Sequence, residues 1–229
     1  MSLLLFLVTG LVLCVSDETR QEESSKLATE ETQGKLNLLW LAVLYPHMFE
    51  HLYDANWTYT ACEMKPSTSL EGLQPQVTGR VLFKQGYPHG KLMAIFYLDG
   101  FPMDTDAAGK AIHIHELGDL SNGCDSLGGH YNPFQVHHPN HPGDFGNFHP
   151  KNGRIRTLRV NLSPSLHGPR TVVGRSVVIH ENPDDMGKGN NKGSLEHGNA
   201  GKRLACCVIG YSQKNLWAKA YNELLDLKD

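Results

Sequence analysis

The chain has 229 residues, a formal net charge of −3 and 40% hydrophobic residues, which suits one domain of ordinary size with an extension. This small net charge argues against binding of nucleic acid or another polyanion through bulk positive charge. The 23 Gly and 12 Pro predict many turns, and the valine-rich runs between them favour an all-β domain.

Residues 1–16 have the pattern of a secretory signal peptide. An apolar run over residues 3–15 is too short to span a membrane, and the acidic DETRQEE follows it at once. The alternative is a buried helix of the mature protein, but the run has no amphipathic periodicity. We therefore predict cleavage near Ser16, secretion to the extracellular space and no membrane span.

Residues 17–60 form a predicted N-terminal extension that is first polar and then helical. Residues 17–35 are rich in Glu, Ser and Thr and are expected to be disordered or frayed. Residues 36–54 are apolar at helical spacing, with Pro46 as a break. This segment is either a helix packed on its own domain or an oligomerisation helix. We favour the second, because an apolar patch outside the main domain usually needs a partner.

Two N-glycosylation sequons are present, at Asn56 and Asn161. Asn56 is the predicted glycosylation site of a secreted chain. Asn161 lies in a strand-like run, and Pro164 after its sequon disfavours modification.

The predicted β domain covers residues 61–212 and contains two long loops, over about 117–152 and 181–202. Loops of this length in a compact domain are usually functional or disordered. Residues 213–229 predict a short amphipathic helix and tail. The predicted strands are residues 77–85, 91–98, 111–116, 154–162, 172–180 and 203–209.

Removal of Cys14 with the signal peptide leaves four cysteines: Cys62, Cys124, Cys206 and Cys207. In an oxidising compartment this even number predicts two disulfides, with three possible connectivities. Adjacent residues of a strand point to opposite faces. Cys206 and Cys207 are therefore expected to reach different partners.

Residues 111–144 are dense in histidine, with six of the 13 in the chain: His113, His115, His130, His137, His138 and His141. His113 and His115 are two residues apart on a predicted strand, so both face the same side. His180 ends another strand and could supply a third imidazole. Three or four histidines without a carboxylate suit copper.

A second set of metal ligands lies on the loop itself. His138, His141 and Asp144 fall within seven residues and, with one more ligand, give the tetrahedral arrangement of a structural zinc. His130 lies between the two sets and is placed to offer one ring nitrogen to each metal. A lone loop histidine is more often solvated, but six in one segment with an Asp reverse that expectation.

The motifs HIHELGD, GCDSLGGHYNP, HPGDFGN, HENPDD and GNAGKRLACCVIG resemble those of the copper/zinc superoxide dismutases, with the extracellular branch matching best. The resemblance covers roughly residues 60–212. It implies an all-β Greek-key sandwich or barrel of eight strands with two long functional loops, here with an N-terminal helical extension. The implied reaction converts two superoxide radicals to dioxygen and hydrogen peroxide by alternating reduction and oxidation of a His-bound copper.

The family pattern also implies roles for individual residues. The implied copper ligands are His113, His115, His130 and His180. The implied zinc ligands are His130, His138, His141 and Asp144. Asp184 matches the carboxylate that links the two sets, and Arg203 matches the arginine of the substrate channel. The implied disulfides are Cys124–Cys206 and, as in the secreted branch, Cys62–Cys207.

Some residues depart from the family pattern. The spacing from His130 selects His138 as the ligand and leaves His137 out. His197 replaces a residue that is usually small or neutral, and Glu196 and Lys192 alter the charge order of the second loop. These changes leave the strength of anion steering open.

The alternative function is a non-catalytic metal-binding module such as a copper carrier. A carrier would use a few exchangeable Cys or Met ligands, so the full histidine set disfavours it. The resemblance implies a homodimer or homotetramer. The tail YNELLDLKD is acidic on balance, so binding to heparan sulfate is not expected.

Overall fold

The computed structural model describes residues 57–70, 74–87, 90–103 and 109–227, and positions 25–26, 28–29, 32–34 and 36–37. The chain divides into two compact units, Met1–Asp54 and Ala55–Asp229. The predicted signal peptide, the Asn56 sequon and residues 38–54 of the predicted oligomerisation helix lie outside the described residues.

In the first unit the described positions are helical. The hydroxyls of Thr29 and Thr32 donate to the carbonyls of Ser25 and Ala28, four residues earlier. The expectation that residues 17–35 lack structure is therefore wrong for these positions. Threonine can satisfy its hydroxyl within a helix in this way, which the polar composition does not reveal.

The described part of the second unit contains nine strands, two α-helices and a short 3-10 helix (Asp125–Leu127). The strands are β1 (Trp57–Pro66), β2 (Thr78–Gly86), β3 (Leu92–Asp99), β4 (Lys110–His115), β5 (Asp144–Phe148), β6 (Arg154–Leu162), β7 (Ser176–His180), β8 (Arg203–Val208) and β9 (Gly210–Tyr211). The helices are α1 (Lys192–His197) and α2 (Lys214–Asp226).

The strands form a nearly closed antiparallel barrel, which confirms the predicted all-β Greek-key fold. The order along the ladders is β5-β4-β7-β8-β1-β2-β3-β6, with β9 also paired to β1. The end of β1 joins the two halves, since Lys65 pairs with Cys206 and Pro66 with Ala205. The path ends at β5 and β6, which are consecutive in the chain. The connections β3–β4 and β6–β7 cross from one half to the other.

The barrel interior is filled by alternate residues of the strands, as period-two patterning requires. Phe83 of β2 and Phe96 of β3 are fully buried in this core. Ile112 and Ile114 of β4 and Ile179 of β7 belong to the same cluster. The side of β4 opposite this core is thereby left for His113 and His115.

Two strands differ from the sequence-based expectation. β5 lies inside the predicted loop over residues 117–152, and β1 begins at Trp57, ahead of the predicted start of the domain. β5 has the sequence DFGNF, in which no alternation of hydrophobic residues indicates a strand. Its pairing with β4 is a tertiary contact that local pattern does not specify.

Helix α2 covers the outer face of the barrel half formed by β1, β2 and β3. Its buried residues Trp217, Ala220 and Leu224 pack in one cluster with Leu82 and Ile95. Among the described residues, no helix is long and apolar enough to cross a membrane.

Two disulfides attach β8 to other parts of the barrel. Cys206 bonds to Cys124 of the long loop, with the Cα atoms 5.7 Å apart. Cys207 bonds to Cys62 of β1, with the Cα atoms 5.3 Å apart. Cys207 belongs to the central core cluster, whereas Cys206 belongs to a separate cluster with Leu127 and Val178. The two neighbouring cysteines thus point to opposite faces of one strand.

We predict that replacing Cys62 and Cys207 together by alanine lowers the free energy of unfolding by about 2–5 kcal/mol, because the bridge closes a long loop of the unfolded chain. With the Cys124–Cys206 bridge intact, the loop that Cys62–Cys207 closes runs through that bridge and has roughly 60 residues, which gives about 4 kcal/mol in the entropic model. Urea unfolding with the Cys124–Cys206 bridge intact measures the change. A loss below about 1 kcal/mol would show that the bridge adds little.

Candidate metal centre

Strand β4 presents two histidines on one buried face. His113 and His115 are 0% and 2% exposed. His180, at the end of β7, lies beside them, and its Nε2 is 3.3 Å from Nε2 of His115. Three imidazoles from two neighbouring strands of the barrel therefore occupy one small volume.

The long loop returns to β4 at His130. His130 forms an isolated β-bridge with His115, and the Tyr131 N–H donates to the Ile114 carbonyl at 2.9 Å. The ring centroid of His130 lies 4.2 Å from that of His113 and 5.0 Å from that of His115. The backbone pairing thus adds a fourth imidazole to the three from the strands.

His138, His141 and Asp144 lie at the turn that leads into β5. The Asp144 carboxylate accepts a hydrogen bond from the His141 backbone N–H at 3.1 Å. Its oxygens lie 3.1 Å from His130 Nδ1, 2.8 Å from His138 Nδ1 and 3.0 Å from His141 Nδ1. Ligands of one tetrahedral zinc with bonds of about 2.0 Å lie about 3.3 Å from each other, so these spacings are close to those of a shared ion.

Asp184 connects the two groups of histidines. Its Oδ2 accepts from His113 Nε2 at 2.9 Å, and its Oδ1 accepts from His138 Nε2 at 2.7 Å. Asn147 of β5 holds the backbone of Asp184, accepting from its N–H at 2.7 Å and donating to its carbonyl at 2.8 Å. A side chain at Gly198, whose φ is +64°, would collide with Asp184 Oδ1.

The centre contains six buried histidine rings, and their hydrogen bonds follow one rule. These rings are His113, His115, His130, His138, His141 and His180. In five of them one ring nitrogen donates to a fixed acceptor. His113 and His138 donate to Asp184, His115 to the Gly128 carbonyl, His141 to the Val136 carbonyl and His180 to the Gly201 carbonyl. His130 is the exception, because its Nδ1 faces the Asp144 carboxylate at 3.1 Å.

The opposite ring nitrogens are the ones left without partners. His113 Nδ1 and His130 Nε2 are buried and have no hydrogen bond, and the buried Nδ1 atoms of His138 and His141 lie 2.8 and 3.0 Å from the Asp144 carboxylate without the geometry of a hydrogen bond. An unsatisfied buried polar atom costs about 1–3 kcal/mol. Four such atoms in one cluster, three of them on rings anchored at the other nitrogen, fit a set of metal ligands.

Among the described residues, two groups of side chains each have all their ligand atoms within 4.8 Å of one another. The first group is His113, His130, His138 and Asp144, and the second is His115, His130 and His180. His130 belongs to both, as a bridging imidazole would. The first group contains His113 where the family pattern has His141. His141 Nδ1 is nevertheless 3.0 Å from Asp144 Oδ2, and His113 lies 5.0 Å from His180 between ring centroids. His113 therefore lies between the two groups.

Burial keeps three of the imidazoles neutral. Burial, and then repulsion by neighbouring histidines, lowers the pKa of His115 and His180 well below the usual range. Burial also lowers the pKa of His130 to about 4, against the opposing hydrogen bond to Asp144. The neutral ring is the form that binds a metal.

The two carboxylates are held in the charged form. Burial raises the pKa of Asp144 and Asp184, but hydrogen bonds from the surrounding histidines outweigh it and hold both values below the usual range. Burial lowers the pKa of His138, whereas its bonds to these two carboxylates raise it to about 9. The carboxylates thus attract positive charge to the His138 side of the centre.

Arg203 is fixed beside the histidines. It pairs with His180 in the ladder between β7 and β8. Its guanidinium donates to the Cys124 carbonyl at 2.7 Å and the Gly128 carbonyl at 2.6 Å. The Gly128 carbonyl also accepts from His115 Nδ1, so one carbonyl orients both the cation and a ring of the centre.

The structure also places four other histidines, whereas His47, His51 and His89 lie outside the described residues. His137, His149 and His197 are exposed, and His167 is half-buried. The sequence did not indicate Asn147, nor the carbonyls of Gly128, Val136 and Gly201 that anchor rings. Every residue has a carbonyl, so no sequence signal marks these acceptors. The HPGDFGN motif contains Asn147 and is the sequence feature from which a role for this residue could have been inferred.

Comparisons with known proteins agree with this geometry. Residues 77–209 match the family model for copper/zinc superoxide dismutase. The chain is 54% identical over 164 residues to the extracellular superoxide dismutase [Cu-Zn] of Mus musculus, an alignment that covers 72% of this chain and 65% of that protein. It is 44% identical over 207 residues to the protein of the same description from Homo sapiens, covering 90% and 84%. The superoxide dismutase [Cu-Zn] of Saccharomyces cerevisiae is 42% identical over 141 residues, covering 58% and 90%.

We predict that Asp184→Asn weakens zinc binding about 10- to 100-fold, because an amide cannot accept from both His113 and His138 as the carboxylate does. Competition between the metal-free protein and a zinc chelator measures the affinity. Asp185→Asn is the matched control, since the Asp185 carboxylate accepts from Ser194 and Asn199 rather than from the rings. Equal affinities for the two variants would contradict the role assigned to Asp184.

Proposed function

The chain belongs to the copper/zinc superoxide dismutase family, and we propose from this premise that it is a secreted enzyme that converts superoxide to dioxygen and hydrogen peroxide. The observation that supports this most directly is the set of four buried, unpartnered ring nitrogens in a cluster of six histidines. The relatives described as extracellular and the two disulfides support secretion.

The proposed copper ligands are His113, His115, His130 and His180. Anchoring of the opposite nitrogens leaves Nδ1 of His113 and Nε2 of His115 and His180 for this metal. His130 would offer Nε2, which is buried and unpartnered. When bound, copper supplies the one-electron couple that oxidises one superoxide and reduces a second.

The proposed zinc ligands are His130, His138, His141 and Asp144. Each histidine of this set has Nδ1 within 3.1 Å of the Asp144 carboxylate. Three nitrogens and one oxygen form a closed tetrahedral set without a position for substrate. Zinc has no redox chemistry, so its contribution here is to order the loop and to add positive charge.

His130 has a separate role because it is the ring without a carbonyl or Asp184 anchor. Its Nδ1 faces Asp144, and its Nε2 faces His115 and His180. The ring centroids of His115 and His180 lie 5.0 and 6.0 Å from the ring centroid of His130. We propose that Nε2, when it is not a ligand, holds a proton and donates it to the reduced substrate.

Arg203 would bind and orient the small anionic substrate. Two backbone carbonyls fix its guanidinium without neutralising its charge. A fixed cation in a partly buried site attracts an anion more strongly than a solvated one.

The assembly proposed for the chain is a homodimer or homotetramer, with residues 36–54 as the segment to examine for contacts between copies. The acidic tail does not favour binding to heparan sulfate. Retention on a heparin column at physiological salt would contradict that expectation.

We predict that His130→Ala impairs both metal sites, because one ring is proposed to serve both. Metal analysis should give less than one copper and one zinc per chain, and superoxide consumption should fall. His149→Ala is the matched control, since His149 is an exposed histidine outside the cluster. Full metal content with unchanged activity in His130→Ala would refute the assignment.

We predict that Arg203→Gln lowers kcat/KM for superoxide about tenfold or more at low ionic strength, within the range of electrostatic steering, while both metals are retained. Lys219→Gln removes the same charge from the exposed face of α2, where the side chain of Lys219 is 73% exposed, and should change little. Stopped-flow decay of superoxide at several salt concentrations measures both. A rate for Arg203→Gln equal to that of the control would exclude steering by Arg203.

A further inference from the structure

The loop of His137 and helix α1 form a cavity above the zinc side of the centre. The cavity has a volume of about 350 Å³ and is lined by His130, Asn132, Gln135, Val136, His137, His141, Leu195 and Glu196. At its inner end lie His130 and His141, which are 8% and 7% exposed. His137 and Glu196 are its exposed members with metal-binding groups.

Backbone contacts fix the walls of this cavity. The His138 N–H donates to the Leu195 carbonyl at 3.0 Å, and the residues next to these two in sequence are His137 and Glu196. On the other wall, Asn132 donates to the Val136 carbonyl at 2.8 Å and accepts from the Val136 N–H at 3.0 Å. His137 and Glu196 are therefore held near each other at the opening.

The inner end of the cavity indicates which kind of ligand enters it. His141 and His130 both line the cavity and are proposed zinc ligands, each with Nδ1 within 3.1 Å of the Asp144 carboxylate. An imidazole and a carboxylate at the opening are ligands for a borderline divalent cation. The proposed zinc ligands at the inner end, His141 and His130, are also imidazoles.

We propose that His137 and Glu196 form a docking site at which a hydrated divalent cation binds on its way to the zinc ligands. The inference rests on the proposed zinc site and deepens it, since it concerns how that site is filled. His137 and Glu196 would hold the ion weakly and release it inward to His141 and His130. Neither residue is a ligand of the bound metal in the filled centre.

Lys192 competes with an incoming cation for the Glu196 carboxylate. Removing Lys192 should therefore speed metal uptake, whereas removing His137 and Glu196 should slow it. Its Nζ lies 3.3 Å from Glu196 Oε1, and the two side chains are 87% and 54% exposed. An exposed pair of this kind is weak and screened by salt, so a cation can compete for the carboxylate. Removing Lys192 would leave the carboxylate of Glu196 available to the incoming ion.

The test is the rate at which the metal-free, disulfide-intact full chain takes up zinc. Stopped-flow mixing with micromolar zinc and a chromogenic zinc indicator gives the rate constant, and metal analysis gives the final content. We expect His137→Ala with Glu196→Gln to take up zinc about tenfold more slowly, a loss within the range of electrostatic effects on association. The final zinc content should equal that of the wild type. Lys192→Gln should take up zinc roughly twofold faster at low salt.

The matched control is His149→Ala with Glu223→Gln, which removes an exposed histidine and an exposed carboxylate away from the cavity. A double variant at the opening that takes up zinc as fast as this control would overturn the proposal. A lower final zinc content would also overturn it, because the residues would then be needed for retention. Failure of the wild type itself to bind zinc would instead refute the proposed metal centre.

Discussion

Five of the six buried histidines of the centre use one ring nitrogen for a protein acceptor and leave the other nitrogen for a different ligand, and this imposes the main constraint on the molecule. In water both nitrogens would be hydrogen-bonded, so burial of an unpartnered one is costly. The barrel accepts this cost at four atoms of one cluster. The anchored nitrogens select the tautomer of each ring and aim the remaining lone pairs inward, which is how a protein prepares a metal site.

Asp184 connects the two groups of histidines, because its two carboxylate oxygens accept hydrogen bonds from one ring of each group. The long loops depend on the same carboxylate. Asn147 fixes its backbone, and Gly198 packs so closely that no side chain fits there. The Arg203 guanidinium donates to the backbone carbonyl of Cys124 at 2.7 Å. Cys124 also forms the disulfide that attaches the long loop to β8. Arg203 and the metal ligands are therefore held by one connected framework.

The sequence predicts the parts of the site that depend on local spacing. Alternation along β4 suffices to place His113 and His115 on one face, and adjacency suffices to direct Cys206 and Cys207 to opposite faces. The position of Asp184 beside His113, 71 residues earlier in the chain, follows only from family resemblance. Strand β5 could not be predicted, because its pairing across the barrel does not depend on a local pattern of residues. The role of the Gly128 carbonyl could not be predicted either, because every residue has a backbone carbonyl. The helical positions near Thr29 were missed because composition alone suggested disorder.

We infer that the anchored rings hold copper and zinc, and that copper performs the redox reaction. The most direct test measures metal content per chain and superoxide consumption on one sample of the secreted, disulfide-intact protein, before and after removal of copper. The account predicts one copper and one zinc per chain, loss of catalysis when copper alone is removed, and recovery when it is restored. Undiminished consumption by copper-free protein, or no catalysis with both metals bound, would contradict it.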